Sequence, residues 1–343
     1  MESARAVGLR YVHDHHPGIH REKNGRGFRY VDAAGKSIRD RSTLQRIESL
    51  VIPPAWNDVW ICPSENGHLQ ASGRDERNRK QHVYHQRWRE VRDETKFHRL
   101  VDFARVLPAI RRRLTKDLAR QGLCREKVLA TVVRLLETSL IRVGNEGSAR
   151  ENHTYGLTTM ENRHATVSGG TIHFHFRGKS NKEHAIAVHD PRVAKIVRAC
   201  QHLPGHELFH YVNEAGEKHH VGSHDVNEYL REISGEEFTA KEFRTWGGTL
   251  SALTELRKMG PAEKVTQCRK NIVSAIKTAS QHLGNTPTVC RKSYIHPVII
   301  EAYLEGSLIP TAERLISKMK STHAIHLRLD ELVLLEFLTL AGK

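Results

Sequence analysis

The spacing of apolar residues changes between residues 90 and 100, and this change constrains the possible folds more than any other feature of the chain. Before it, short alternating segments such as FRYVD and VWICP are separated by turn signals such as Asn24-Gly25 and Asn66-Gly67, a pattern typical of β-strands. After it, Leu, Val, Ile and Arg recur at helical spacing. The chain is therefore predicted to be an α+β protein, with a small β-rich domain at residues 1–92 and a larger, mainly α-helical domain at residues 93–343.

Prolines set the expected limits of the first helices. A short helix is predicted to begin at Ser42 or Thr43 and to end before Pro53. Pro108 lies inside the helical pattern of the second domain. Because proline lacks an amide hydrogen and its ring crowds the preceding turn, we expect a break in the helix there.

One segment inside the helical domain alternates with a period of two residues, as a half-buried strand does. Its apolar face carries Ile172, Phe174 and Phe176, and its polar face carries His173, His175 and Arg177. The Gly178-Lys179 pair that follows is typical of a turn. Lys179 is therefore predicted to lie exposed at the tip of a β-hairpin.

Two capping patterns predict helix starts further along the chain. Asp190 followed by Pro191 has the residue types of an N-cap and a first helical position. The run Thr239-Ala240-Lys241-Glu242 matches a capping box. It sets Arg244 in the first turns of a helix, where an anion is favoured. A helix that ends at Gly235 is expected between the two.

The segment that ends in Gly178-Lys179-Ser180 resembles the end of a phosphate-binding P-loop, but the glycine frame is missing. Such a loop needs a glycine five positions before its second glycine, because successive backbone amides wrap the phosphates. His173 occupies that position here, and Tyr30 occupies it before the second copy, Gly35-Lys36-Ser37. Nucleotide hydrolysis is therefore excluded as an interpretation of this motif.

The charge balance favours a polyanionic partner. Lys and Arg number 54 against 39 acidic residues, a formal net charge of +15, and the basic residues are spread through the folded segments. Five cysteines without a CxxC pair favour a reducing compartment. No apolar run has the length of a membrane span or of a signal core. His13, His15 and His16 are close in sequence but lack the spacing of a metal-binding motif.

Five basic and polar residues occur in a specific order along the chain. These residues are Arg142, Lys179, Arg244, Asn285 and Tyr294, each in its own local motif. Together with GLRYV, IPPAW, GRDERNRKQHVYHQRW, RVGNE, TYGLTT, FRGKS, KEFRTWGGT and SYIHP, they make nearly the whole chain resemble the type IB DNA topoisomerases, in particular their small bacterial and poxviral branch. The resemblance implies two domains that close as a clamp around duplex DNA.

The resemblance also implies a role for each residue of the series. Tyr294 would attack a backbone phosphorus and form a 3′-phosphotyrosyl bond. Arg142 and Arg244 would hold the non-bridging oxygens, Lys179 would protonate the departing 5′ oxygen, and Asn285 would donate a hydrogen bond to phosphate where many relatives carry histidine. Neither a cofactor nor a metal is expected in this scheme.

Further DNA contacts are implied by the same motifs. The residues concerned are Arg74, Arg79, Lys80, Gln81, Tyr84, Tyr155, Thr158 and Lys241. The chain departs from the family pattern at Gly147-Ser148, where an aromatic residue is common, and at His82, where tyrosine is common. Double-stranded DNA is thus the expected partner of a monomeric, cytoplasmic, bacterial enzyme that acts at the nucleoid and does not bind membranes.

Two other functions remain open from the residues alone. A site-specific tyrosine recombinase shares the Arg, Lys, Arg and Tyr chemistry, although it carries His-x-x-Arg where this chain has Lys241-Glu242-Phe243-Arg244, and its N-terminal domain is typically helical. A non-catalytic clamp would keep the fold and the charge without cutting DNA. The basic balance alone is compatible with either.

Overall fold

The computed structural model describes residues 2–5, 7–25, 27–76, 78–319 and 327–341. The chain divides into two compact units, Met1–Phe97 and His98–Lys343. The first is built on a sheet and the second is mainly helical, so the predicted α+β class is confirmed.

The first unit contains one antiparallel sheet of five strands in the order β2-β1-β3-β4-β5. Its elements are α1 (Glu2–Arg5), β1 (Ile19–Asn24), β2 (Gly27–Val31), α2 (Arg41–Ser49), β3 (Asn57–Ile61), β4 (Leu69–Arg74) and β5 (Lys80–Tyr84). Asp40 caps α2 by accepting a hydrogen bond from the Thr43 amide, so this helix begins one residue before the predicted start. Ile47 of α2 packs into the apolar core with Ile19 and Ile61.

The helices after β5 follow in chain order, and the first of them begins in the first unit and continues into the second. They are α3 (Gln86–Leu118), α4 (Arg125–Ser139), α5 (Glu146–Asn152), α6 (Pro191–Gln201), α7 (Ser223–Ser234), α8 (Ala240–Met259), α9 (Val265–Leu283), α10 (Pro287–Tyr294), α11 (Pro297–Leu304), α12 (Leu308–Met319) and α13 (Leu329–Ala341). In the described part of the chain, no helix is long and apolar enough to cross a membrane.

The expected break at Pro108 is wrong, because α3 continues through this residue without interruption. A proline removes one intrahelical hydrogen bond. Leu107 and Ile110, on either side of it, are both buried. The free energy of burying these apolar side chains, about 1.5–3 kcal/mol each, offsets the local cost of about 3 kcal/mol.

A three-stranded antiparallel sheet carries the predicted hairpin. Its strands are β6 (Ala165–Ser168), β7 (Thr171–Gly178) and β8 (Lys182–His189), with β7 in the centre. Burial alternates along β7 as expected. Lys179 lies exposed in the loop between β7 and β8, where Ser180 and Asn181 adopt positive φ angles of 64° and 61°. The prediction of a hairpin with Lys179 at its tip is confirmed.

The predicted caps are also confirmed. Asp190 accepts hydrogen bonds from two amides at the start of α6. Thr239 and Glu242 form the capping box of α8. Gly235 ends α7 with a φ of 71°. A two-stranded sheet of β9 (His210–Val212) and β10 (Lys218–His220) completes the second unit.

Candidate active site

Tyr294 is the last residue of α10, which begins at Pro287 after the N-cap Thr286. Helix α8 holds the tyrosine backbone, because the Thr249 hydroxyl donates to the Tyr294 carbonyl at 3.1 Å. Gly248 permits this approach, since a Cβ there would lie 2.7 Å from the same carbonyl oxygen. The Tyr294 backbone is thus anchored where α10 meets α8.

Arg142 reaches both Tyr294 and Asn285. Its Nη1 lies 3.4 Å from the Tyr294 hydroxyl, and its Nη2 donates to the Asn285 Oδ1. The backbone of this segment is held by the next loop, where the Leu157 amide donates to the Arg142 carbonyl at 2.8 Å. Gly156 is required there, because a Cβ would lie 2.6 Å from the Arg142 carbonyl oxygen. Three of the predicted catalytic residues therefore form one hydrogen-bonded cluster.

Arg244 lies beside this cluster and is only 4% exposed. Its two Nη atoms donate to the carbonyls of Leu140 and Leu283, at the ends of α4 and α9. Its Cζ lies 5.1 Å from the centre of the Tyr294 ring. Burial first, and then the charge of Arg142, lower its pKa to about 10. Arg244 is therefore still charged at neutral pH.

Two positive charges change the acidity of the phenol. Burial alone would raise the pKa of Tyr294, but the charges of Arg244 and Arg142 outweigh it, so the pKa lies below its ordinary value. A lowered pKa brings a tyrosine hydroxyl closer to the nucleophilic phenolate form.

Two buried hydrogen-bond donors beside Tyr294 have no partner within the described chain. They are the Nε of Arg244 and the Nδ2 of Asn285. Because the Asn285 Oδ1 already accepts from Arg142, only the amide donor remains for a ligand. A buried donor without a partner costs about 1–3 kcal/mol. An acceptor-rich anion bound next to the phenol would remove this cost.

Lys179 lines a cleft that also contains both arginines. Its walls come from Leu140, Ile141, Arg142, Tyr155, Phe176, Gly178, Lys179, His184, Ile186, Arg244, His282, Leu283 and Gly284. Lys179 is exposed there, so its ammonium can reach a ligand. The structure therefore brings the predicted lysine and the two predicted arginines to one cavity.

The other predicted DNA contacts of the second unit differ in exposure. Tyr155 lines the cleft, and its hydroxyl accepts from Arg163. Lys241 is exposed in the first turn of α8. Thr158 is 2% exposed, and its hydroxyl donates to the Val143 carbonyl at 3.0 Å. Its side chain thus supports the backbone next to Arg142.

The predicted DNA contacts of the first unit lie on β4, β5 and the turn between them. Most have carboxylate partners: Arg74 lies 3.8 Å from Asp58, Arg79 2.7 Å from Asp75, Lys80 2.7 Å from Asp14, and the Gln81 amide donates to Asp75 at 2.9 Å. Tyr84 stacks on His82 with ring centres 5.7 Å apart. The basic side chains of these three ion pairs are 41–52% exposed, whereas the carboxylates of Asp75 and Asp14 are only 16% and 18% exposed. The Arg74–Asp58 pair is exposed on both sides, so it contributes at most about 1 kcal/mol.

Groups that could hold a metal ion lie outside this cluster. In the part of the chain that the structure describes, they are Glu207 with His210 and His220, and His224 with Asp225 and Glu228. At the surface, His13 stacks on His15, and His16 contacts both rings edge to face. These three histidines belong to neither group.

The sequence interpretation missed two residues that adjoin the site. His184 lines the cleft, and the Lys182 Nζ lies 3.4 Å from the Asn285 carbonyl oxygen. A signal for His184 was present, because the alternation of β8 sets it on the same face as Ile186 and Val188. A histidine on an inward face is more often a core residue than a functional one.

Comparisons with known proteins cover both units. The family described as "Eukaryotic DNA topoisomerase I, catalytic core" matches residues 85–321. The family described as "Bacterial DNA topoisomerase IB, N-terminal domain" matches residues 27–75.

Two viral relatives are similar over most of the chain, and a yeast relative is similar over less than half of it. The DNA topoisomerase 1B of Acanthamoeba polyphaga mimivirus is 32% identical over 294 residues, which cover 83% of this chain and 87% of the viral protein. The DNA topoisomerase 1B of vaccinia virus (strain Copenhagen) is 26% identical over 248 residues, 71% of this chain and 74% of the relative. The DNA topoisomerase 1 of Schizosaccharomyces pombe is 28% identical over 152 residues, 44% of this chain and 18% of the relative. On these matches, the chain belongs to the type IB DNA topoisomerases.

Proposed function

We propose that this protein relaxes supercoiled duplex DNA by cutting one strand, letting the free end rotate, and resealing the cut. The observation that carries the proposal is the surroundings of the Tyr294 hydroxyl. Arg142 lies 3.4 Å from it, Arg244 lies beside its ring, and two buried donors nearby lack partners. A phosphodiester supplies both the electrophile for the phenol and the acceptors for those donors.

In this proposal Tyr294 attacks the phosphorus and displaces the 5′ oxygen, which leaves a 3′-phosphotyrosyl bond. Arg142 and Arg244 stabilise the charge that develops on the non-bridging oxygens, and their contacts in the free protein hold them in advance. The free amide donor of Asn285 binds a phosphate oxygen. Because one phosphoester replaces another, resealing needs no ATP.

Lys179 is proposed as the general acid that protonates the leaving 5′ oxygen. Its exposed side chain ends in an ammonium group with three N–H donors. Its place at a hairpin tip that lines the cleft supports this role. General acid catalysis typically contributes about 10²–10⁴-fold.

The test is relaxation of supercoiled plasmid in EDTA without nucleotide, with Tyr294→Phe as the matched variant. The wild-type protein is expected to relax the plasmid and to form a covalent adduct with DNA. The phenylalanine variant lacks only the hydroxyl, so it should bind DNA and form no adduct. An adduct in this variant would refute the assignment of the nucleophile.

Two outcomes would favour the alternative functions. DNA binding by the wild-type protein without relaxation would indicate a non-catalytic clamp. Relaxation restricted to plasmids with one special site would indicate a recombinase-like mode. The presence of Arg142, Lys179, Arg244 and Tyr294 in one folded unit favours the topoisomerase over the clamp.

The role of Lys179 is tested with a substrate that has a bridging 5′ sulfur. A thiolate needs little protonation to leave, so Lys179→Ala should cleave ordinary DNA slowly and the sulfur substrate at close to the wild-type rate. A variant that is equally slow on both substrates would make Lys179 a phosphate contact instead of an acid.

The domain roles, the oligomeric state and the cellular location of the protein are also proposed. Residues 1–92 would form the β-rich half of a DNA clamp and residues 93–343 the catalytic half. Monomeric action on nucleoid DNA in the cytoplasm of a bacterium is proposed. The match to the bacterial N-terminal domain family supports the bacterial part of this proposal. Sedimentation of the free protein and of its complex with a short duplex tests the monomer.

A further inference from the structure

His184 connects the Lys179 hairpin to the turn that carries Asn285. Its ring stacks on Phe176 of β7, with ring centres 4.9 Å apart and planes inclined by 10°. Phe176 is buried. One side of the imidazole is therefore fixed by the core of the hairpin.

Two glycines pack against the edges of the His184 ring. A Cβ at Gly178 would lie 2.6 Å from the His184 Nε2, and a Cβ at Gly284 would lie 2.1 Å from its Cε1. Gly178 immediately precedes Lys179, and Gly284 immediately precedes Asn285. The ring is thus wedged between the backbones that carry two proposed catalytic side chains.

Lys182 makes a second connection between the same elements. Its Nζ lies 3.4 Å from the Asn285 carbonyl oxygen. Lys182 pairs with Gly178 at the base of the hairpin loop. The hairpin therefore contacts the turn at two points, one by packing and one by a charged hydrogen bond.

The imidazole is suited to packing because it is uncharged at neutral pH. Burial first, and then the positive charges of Lys182, Arg142 and Arg244, lower the pKa of His184. A protonated ring would add a further cation to this cluster.

We propose that His184 is a positioning residue that sets the place of Lys179 relative to Asn285 during strand cleavage, an inference that rests on the proposed function. The planar ring acts as a spacer, because it fills the gap left by Gly178 and Gly284. A misplacement of about 1 Å can cost about 100-fold in rate, so the spacer is expected to matter most for the step that Lys179 serves.

The experiment measures single-turnover cleavage of ordinary duplex DNA and of the bridging 5′-sulfur duplex. His184→Ala should slow cleavage of ordinary DNA roughly 10- to 100-fold, bind DNA normally, and cleave the sulfur duplex at close to the wild-type rate. His184→Phe keeps a planar ring and should keep most of the rate. His173→Ala is the matched control, since His173 is exposed on the neighbouring strand, and it should behave as the wild type.

A double variant separates this proposal from the role of Lys179 itself. If His184 acts through Lys179, adding His184→Ala to Lys179→Ala should cause no further loss. Failure of the sulfur duplex to rescue Lys179→Ala alone would refute the acid role in the proposed function, and the double variant would still report the coupling.

Three results would overturn the positioning role. The first is that His184→Ala cleaves both duplexes equally slowly although the sulfur duplex rescues Lys179→Ala. The second is that the rate losses of the two single variants multiply in the double variant. The third is that His184→Phe cleaves ordinary DNA as slowly as His184→Ala does. If thermal denaturation reveals that His184→Ala is not folded, Lys182→Met is used instead, because it removes the second contact. This variant should cleave ordinary DNA more slowly than the wild type, with a smaller loss of rate than His184→Ala, and should cleave the sulfur duplex at close to the wild-type rate. Equal slowing of Lys182→Met on both duplexes would count against the proposal.

Discussion

Replacing Arg244 by lysine should remove most activity although the substitution conserves formal charge. The guanidinium is 4% exposed and donates to two carbonyls at once. A lysine ammonium is a single point donor on a flexible stem, so it cannot bridge the carbonyls of Leu140 and Leu283. One carbonyl is left without its charged donor, which should lower the free energy of unfolding by about 1.5–3 kcal/mol.

The same substitution should remove the positive charge beside Tyr294. Burial can lower the pKa of a lysine by about 3–5 from its ordinary value near 10.4, and the charge of Arg142 acts in the same direction. The lysine would then be largely neutral near pH 7. Loss of one prearranged donor or charge typically costs about 10²–10³-fold in rate. Single-turnover cleavage by Arg244→Lys should fall by this factor.

The pH dependence supplies the sharpest check. Because the lysine gains its proton as the pH falls, the rate of Arg244→Lys relative to the wild type should rise on the acid side. Cleavage is measured across pH, and stability is measured by urea unfolding at neutral pH. Arg192→Lys, at an exposed position of α6, controls for the substitution itself. A rate ratio that does not change with pH, or stability equal to that of the control, would refute the reasoning.

Three further predictions concern stability and binding. Burial alone would raise the pKa of Glu331, but hydrogen bonds from Arg111 and Arg328 lower it from 4.5 to about 2. This carboxylate therefore stabilises the fold above pH 4.5, by up to about 3 kcal/mol, and the contribution is lost as the pH falls towards 2. Urea unfolding of Glu331→Gln should reveal the loss at pH 7 and a smaller difference from the wild type in acid; equal differences at both pH values would contradict this. Thr239→Ala should cost about 1 kcal/mol by removing the cap of α8, and an unchanged urea midpoint would argue against the capping box. Raising the salt concentration should weaken DNA binding steeply, because phosphate contacts release counterions; a flat salt dependence of the dissociation constant would argue against a phosphate-binding surface.

Local patterns in the sequence predicted the local structure near the site. The alternation from Ile172 to Phe176 placed β7, and Thr239 with Glu242 placed the start of α8. These predictions succeed because strand faces and helix caps depend on neighbours within a few residues. Pro108 is the exception, because the packing of α3 overrides a local preference for a break.

The sequence by itself determined which residue types are available for phosphoryl chemistry, and it placed Lys179 on a hairpin and Arg244 near the start of a helix. Only the tertiary structure decided their surroundings. Arg244 is held by carbonyls 104 and 39 residues away in sequence, and His184 meets Gly284 across two different elements. Such contacts follow from how helices and strands pack, which depends on the whole core and not on any local pattern. For this reason the sequence could predict Tyr294 and Arg244 as site residues, whereas the packing of His184 against Gly178 and Gly284 could be seen only in the folded chain.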